Sequence, residues 1–219
     1  MKDVIIVSGG NIQRDFALDF LQKNKKENVC LIAADKGVEF FIKTDWVPDI
    51  AVGDFDNLSA AGEKYLDSLK ETEIVRLKPE KDDSDTQSAV NFAIDRGAKN
   101  ITIFGATGNR IDHLLANFGL LVLGRERGTD IILIDQWNYM KLVESGTVLK
   151  KKEQFGKYVS FFSLEGDMPG LTLVGFKYPL DHYHLRVSDS GLTVSNEIEA
   201  EEAVVSFDGK SLLMLMTRD

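Results

Sequence analysis

The chain has 219 residues, 43% of them hydrophobic and 28% charged, with a formal net charge of −9. That composition is the ordinary one of a globular protein, long enough for one large domain or two smaller ones with cores of their own. The acidic balance argues against a nucleic-acid binder, whose footprint is basic, and no run of about 18 apolar residues is present to suggest a membrane span.

The amino-terminal run Val4–Val7 reads as a buried strand ending in Ser8-Gly9-Gly10, too short and too soon polar for a signal peptide. Ile12–Lys23 follows with helical period, Phe16, Phe20 and Leu21 on one face. Val29–Ala34 is a second strand. It holds the single cysteine, Cys30, expected as a buried thiol, and one cysteine leaves no disulfide framework, as suits a reducing cytoplasm. Ile50–Val52 is a third strand, Ser59–Lys70 a helix and Ile74–Leu77 a fourth strand. Ser84 with Gln87 three residues on reads as a capping box opening a helix whose apolar face is Ala89, Val90, Ala93 and Ile94. Ile101–Phe104 is a fifth strand, Ile111–Leu123 a helix apolar almost all round, as buried helices are, and Ile131–Ile134 a sixth strand. Strands alternating with helices predict a mostly parallel, doubly wound sheet covered on both faces. After about Gln136 the helical period disappears. Tyr158–Phe162, Leu171–Val174, Leu192–Val194, Ala203–Phe207 and Leu212–Met216 are short runs between turn residues, which predicts an antiparallel β-sandwich or small barrel, the sandwich being the expected one. The expected division is an α/β domain over 1–136 and an all-β domain over 137–219.

Chemistry concentrates where the parallel strands end, which is where open α/β sheets bind ligands. The second strand runs into Asp35-Lys36-Gly37 and the third into Gly53-Asp54-Phe55-Asp56. Asp54 and Asp56, two apart on an extended chain, face the same way about 6–7 Å apart and repel unless a cation lies between them. A hard divalent ion beside phosphates, above all Mg²⁺, suits such a pair. The fourth strand is followed by Lys81-Asp82-Asp83-Ser84-Asp85, where the acids either favour a helix N-terminus or add metal ligands, and Lys81 either contacts phosphate or is a surface lysine. The fifth runs into Gly105-Ala106-Thr107-Gly108-Asn109-Arg110-Ile111-Asp112-His113. Its glycines allow close backbone approach and Arg110 can grip phosphate oxygens, although the pattern is neither a Walker A loop nor a dinucleotide fingerprint. His113 and Asn117 share a helix face, either as a satisfied core pair or towards a ligand. In the second half, Ser195-Asn196-Glu197 reads first as a turn, and His182 and His184, lacking a third soft ligand, as loop residues.

Together these segments resemble the bacterial thiamine pyrophosphokinases. The resemblance rests on Ala34-Asp35-Lys36-Gly37, on Pro48-Asp49 with Gly53-Asp54-Phe55-Asp56, on Lys81-Asp82 with Ser84-Asp85, and on Gly105 to His113 running on to Asn117. Gly175-Phe176-Lys177-Tyr178-Pro179-Leu180 and Gly191 to Ser195-Asn196-Glu197 extend it to the second half. Two positions depart from the family pattern, Asn57 in place of Ser and Ser84 in place of Thr, and both keep a hydrogen-bonding side chain. The resemblance implies a homodimer in which an ATP-binding catalytic domain and a thiamine-binding β-domain move a pyrophosphoryl group from ATP to thiamine. It implies that Asp35, Asp54, Asp56 and Asp85 hold Mg²⁺, with Asp54, Asp56, Asp85 and Asp112 as the catalytic set. It further implies that Asp35, Lys81, Asp82, Ser84, Gly105, Gly108, Asn109, Arg110 and His113 contact the nucleotide. Ser195 and Asn196 are implied to bind thiamine in a site shared between subunits. Two rivals remain on the residues alone. One is an Asp-nucleophile phosphohydrolase, which also places Asp-x-Asp after a strand. The other is a non-catalytic nucleotide- or vitamin-binding regulator.

Overall fold

The computed structural model describes residues 2–78, 83–108, 110–189 and 191–219. The chain divides into two compact units, Met1–Gln136 and Trp137–Asp219.

In the first unit the elements run β1 (Asp3–Val7), α1 (Arg14–Asn24), β2 (Val29–Ala34), a 3-10 segment (Asp35–Phe41), β3 (Ile50–Gly53), α2 (Ala60–Ser68) and β4 (Glu73–Arg76). They continue as α3 (Asp85–Asp95), β5 (Asn100–Phe104), α4 (Ile111–Glu126) and β6 (Asp130–Ile134). The six strands are parallel in the order β4-β3-β2-β1-β5-β6. Strands of this kind must be apolar on both faces, and Val4–Val7, Leu31–Ala34 and Ile50–Val52 are buried throughout. The 3-10 segment, which periodicity did not reveal, buries Val38 and Phe41 directly after β2.

The helices are positioned by the residues that sequence pattern singled out. In α1, Phe16 and Phe20 meet the Phe104 ring at centroid distances of 6.2 and 5.1 Å. Ser59 caps α2 by accepting from the Gly62 amide at 3.2 Å, and Ser84 caps α3 by accepting from the Gln87 amide at 3.2 Å. The reciprocal half of the expected capping box is absent, because the Gln87 side chain donates instead to Asp83 at 2.6 Å. Asp49, in the segment leading into β3, serves structure: its carboxylate takes the Leu31 amide at 2.7 Å and pairs with Lys25 at 3.1 Å.

One helix departs from expectation. Helix α4 is apolar all round yet is not enclosed within this unit: Ile111 is 73% exposed and Leu115 62%. Its buried residues, Asn117, Leu120, Leu121 and Gly124, lie in its later turns, where Gly124 rests against Ile131 of β6. Cys30 is half-buried, and burial pushes its thiol up to about 11.

The second unit contains β7 (Asn138–Val143), β8 (Thr147–Lys150), β9 (Tyr158–Phe162), β10 (Met168–Val174), β11 (Leu180–Leu185), β12 (Asn196–Glu197), β13 (Glu202–Ser206) and β14 (Leu212–Thr217). Antiparallel pairing gives one row β7-β14-β9-β12 and a four-stranded sheet β11-β10-β13-β8. Both contribute to a single apolar cluster, with Val159, Phe161 and Met214 from one and Leu171, Leu173 and Val205 from the other, so the two face each other as a sandwich. Leu192–Val194 is not a strand but a turn: only Thr193 is buried, its hydroxyl bonding the Phe161 carbonyl. His182 and His184 lie on β11 rather than in a loop, paired with Asp181 at 2.6 Å and Asp167 at 3.4 Å.

Backbone approaches very closely at Gly37, where an added Cβ would lie 1.9 Å from the Val7 carbonyl oxygen, whereas Gly119 on α4 meets nothing within 4 Å. Gly37→Ala should therefore lower stability by about 2 kcal/mol through overpacking. Gly119→Ala should raise it by up to about 1 kcal/mol through helix propensity. Urea unfolding of both variants beside the parent measures the two signs.

Candidate functional site

The strand order reverses at β1, from which the chain runs to β2, β3 and β4 on one side and later to β5 and β6 on the other. A crevice opens where the connections diverge, at the carboxyl ends of β1 and β5. There lies a cleft of about 640 Å³ lined by Ser8, Gly9, Gly10 and Asn11 after β1 and by Asp35 and Lys36 after β2. Ser84, Asp85 and Thr86 at the start of α3 and Gly105, Ala106, Gly108, Arg110, His113 and Asn117 around the start of α4 complete its wall. Its floor depends on bare backbone. Gly10 donates to the Gly105 carbonyl at 3.1 Å, and a Cβ on Gly10 would lie 2.2 Å from that oxygen. Gly105 itself has φ +71°, a conformation that glycine adopts without strain. The buried hydroxyls of Ser8 and Thr86 bond each other and tie β1 to the first turn of α3. Asn117 is buried and donates to the Ala106 carbonyl at 2.8 Å, so it braces the loop, while His113 one turn earlier stays exposed at the cleft.

Beside the cleft, Asp35, Asp54 and Asp85 each bring a carboxylate oxygen within 4.8 Å of the others. Three elements converge to do this: the end of β2, the turn after β3 and the first residue of α3. The turn is strained, since Asp35 has φ +45° and Phe55 φ +64°, both in the region that side-chain-bearing residues avoid. Two features hold it. The Asp35 carboxylate accepts from the Phe55 amide at 3.0 Å, and Gly53 lets Asp35 approach so closely that a Cβ there would lie 2.9 Å from the Asp35 Cα. Asp56 is exposed next to this cluster, its amide bonded to Asp54 at 3.2 Å and its carboxylate to the Asn57 side chain. Burial raises the Asp35 carboxyl above its ordinary range, and the charges of Asp85 and Asp54 add to that rise. Asp56 is raised too, by desolvation first and then by Asp54. Hard oxygen donors gathered closely enough to oppose one another fit a divalent cation of the Mg²⁺ type.

Other expected site residues lie differently. Asp112 stands apart from the cluster and forms a bidentate pair with Arg110, whose Nε donates at 3.1 Å. The Arg110 hydrogen bond is the main reason that the Asp112 carboxyl is held down to about 2. Arg110, expected to grip phosphate, thus spends its guanidinium on a carboxylate. Lys81, Asp82 and Asn109 lie outside the described residues. In the second unit, Ser195 is exposed with φ +56°. Asn196 is 2% exposed, and both ends of its amide are engaged by the Tyr178 backbone, at 2.7 and 3.0 Å. It therefore fastens the Tyr178 loop, leaving that ring 56% exposed. Sequence reasoning passed over the β1 loop, Ser8 to Asn11, although a glycine pair at a strand's carboxyl end is the signal that marks it.

A switch-point cleft with a carboxylate cluster at its rim defines an α/β protein with room for a small-molecule ligand and oxygen donors that could hold a hard cation. Comparison with known proteins narrows the class. Residues 21–133 match the family model "Thiamin pyrophosphokinase, catalytic domain" and residues 146–212 match "Thiamin pyrophosphokinase, vitamin B1 binding domain". The thiamine pyrophosphokinase of Bacillus subtilis (strain 168) is 33% identical over 221 residues, with both chains covered in full. Among solved structures, the Bacillus subtilis enzyme superposes with a TM-score of 0.86 at 30% identity, all of both chains being covered. The Geobacillus thermodenitrificans enzyme gives 0.83 at 29% identity over 99% of this chain and 97% of that one. The chain belongs to the thiamine pyrophosphokinase family. Neither the phosphohydrolase nor the regulator reading is favoured by these matches.

Because its carboxyl is raised, Asp35 contributes an unfavourable term that grows as pH climbs through the carboxylate range and is absent below it, where folded and unfolded states are both protonated. Asp35→Asn keeps the acceptor for the Phe55 amide and removes the charge. In metal-free buffer it should unfold at a higher temperature than the parent at pH 7, and the gap should close below the ordinary carboxylate range. Calorimetry across pH reads both.

Proposed function

We propose that the chain transfers the terminal pyrophosphoryl group of ATP to the hydroxyethyl oxygen of thiamine, yielding AMP and thiamine diphosphate. The observation that carries this reading is the convergence of Asp35, Asp54 and Asp85 within 4.8 Å beside the switch-point cleft, in a member of this family. In this reading the first unit is the catalytic, ATP-binding domain and the second holds thiamine. The glycines of the β1 and β5 loops let the nucleotide approach the backbone. Ser84, exposed at the cap of α3, and the dipole of that helix favour phosphate oxygens. Lys81, Asp82 and Asn109 belong to the same nucleotide contacts, and Arg110 exchanges Asp112 for a phosphate. Asp35, Asp54 and Asp85, with Asp56 at their edge, would hold Mg²⁺, which supplies charge neutralisation across the triphosphate when bound.

The chemistry is an in-line displacement. The thiamine hydroxyl oxygen bonds to the middle phosphorus of ATP, and the link from that phosphorus to the bridging oxygen of the α-phosphate breaks. The electron pair leaves with AMP, and the hydroxyl proton must be accepted by a base. Asp112, held near 2 by Arg110, is a weak acceptor. Asp85, in the acidic cluster at the head of α3, would be weakened as an acceptor in the same way while it holds the cation. Positioning and electrostatics account for most of catalysis in such transfers.

The working form is a homodimer with the thiamine site completed by the partner subunit. The exposed Ile111 and Leu115, flanking the cleft residue His113, support a partner surface there. In the β-domain, Ser195 contacts thiamine and Asn196 acts through the Tyr178 loop that it fastens. No described helix is long and apolar enough to cross a membrane. A cytoplasmic setting accords with the single cysteine.

Incubation with ATP, Mg²⁺ and thiamine should release AMP only when thiamine is present, and chromatography of the nucleotide product tests this. Orthophosphate release from phosphate esters without thiamine would overturn the proposal. Asp54→Ala and Asp56→Ala should each lower kcat by about a thousandfold with the far-UV circular dichroism unchanged. Near-parental turnover in either would remove that residue from the metal set.

A further inference from the structure

Most arginines near the carboxyl edge of the sheet are already committed. Arg110 is paired with Asp112, and Arg14 donates to the carbonyls of Phe40 and Ile42. Arg76 differs. It is the last residue of β4, in register with Gly53 of β3, so its backbone lies directly beside the residue that precedes Asp54. Its guanidinium carbon sits 5.5 Å from the centroid of the Phe55 ring. Phe55 is 7% exposed and stands between Asp54 and Asp56 in sequence, so a nearly buried ring at the acidic turn serves as the platform for an exposed cation. Among the described residues that ring is the only partner of the guanidinium: despite two carboxylates flanking its platform, no ion pair forms. A guanidinium held over a ring rather than by an acid keeps N–H donors open, in the fork that matches phosphate oxygens.

The order of parts along the sheet edge gives those donors a purpose. The cleft lies at β5, β1 and β2, the acidic cluster is set by β2, β3 and α3, and Arg76 follows on β4. A nucleotide with its nucleoside in the cleft and its phosphates crossing the acids ends at Arg76. We propose that Arg76 is a further substrate-binding residue, which grips the β- and γ-phosphates of the nucleotide from its platform on Phe55. This inference rests on the proposed reading of the site as an ATP site.

The test separates the far phosphates from the rest of the nucleotide. In Arg76→Ala, KM for ATP and the inhibition constant for inorganic pyrophosphate should each rise about tenfold or more, while inhibition by AMP and KM for thiamine stay within twofold. Arg76→Gln, which keeps the aliphatic stem against the ring, should give the same pattern and serves if the alanine variant does not fold. Arg76→Lys should recover part of the loss, because charge survives and the fork does not. Equal weakening of ATP and AMP would show that Arg76 only supports the turn, and unchanged ATP and pyrophosphate constants would show that it touches neither phosphate. Either result overturns the inference. If the parent protein forms no AMP from ATP and thiamine, the underlying reading fails instead, and the two failures are thereby told apart.

Discussion

Three carboxylates held within 4.8 Å of one another repel, and much of the first unit's architecture near its sheet edge serves to keep them there. Two non-glycine residues adopt left-handed backbone, a glycine is bared to admit Asp35, and one backbone amide is bonded to it. None of these devices is favourable by itself. They are tolerable because β2, β3 and their neighbours are buried and parallel, so displacing the turn would disturb apolar packing on both sides of the sheet. The fold thus supplies the rigidity that the site consumes, as strained functional sites require.

Charge is apportioned with similar economy across the rim. The Arg110–Asp112 pair neutralises itself outside the acidic cluster. Arg76, supported by an aromatic ring rather than an acid, keeps its charge available without quenching the carboxylates beside it. Holding a cation through a π-face separates its placement from its neutralisation. On the proposed reading, an acidic site that holds a cation and also receives anionic phosphates needs that separation.

Most elements were legible in the sequence because parallel strands carry unbroken apolar runs and helices carry caps. Val29–Ala34 and Tyr158–Phe162 needed no correction at all. The failures have physical causes. The 3-10 segment Asp35–Phe41 has too few turns for a period to show. Leu192–Val194 has strand-like composition, but it turns back so that one hydroxyl can satisfy a buried carbonyl, which composition cannot reveal. Helix α4 was misjudged because an all-apolar helix says only that something covers it, not that its own domain does. At the site, Asp35, Asp54 and Asp85 were readable because like charges at neighbouring strand ends lack a packing reason. The pairing of Arg110 with Asp112, and the burial that turns Asn196 into a clip, depend on side-chain directions that spacing does not fix.

The strand order has a consequence for synthesis on the ribosome. β1 forms the centre of its sheet, yet one of its two neighbours, β5, pairs Asp3 with Asn100, almost a hundred residues later. While the chain grows, β1 can pair with β2, but its other edge stays bare, and the cleft has no second wall until Gly105 has emerged. The nascent chain must carry an apolar, unpaired strand edge through nearly half of its translation, a hazard of long-range parallel pairing. A ligand that needs both walls cannot assist the early steps. In that interval Phe16 and Phe20 of the neighbouring helix α1 lack the Phe104 ring against which they finally pack.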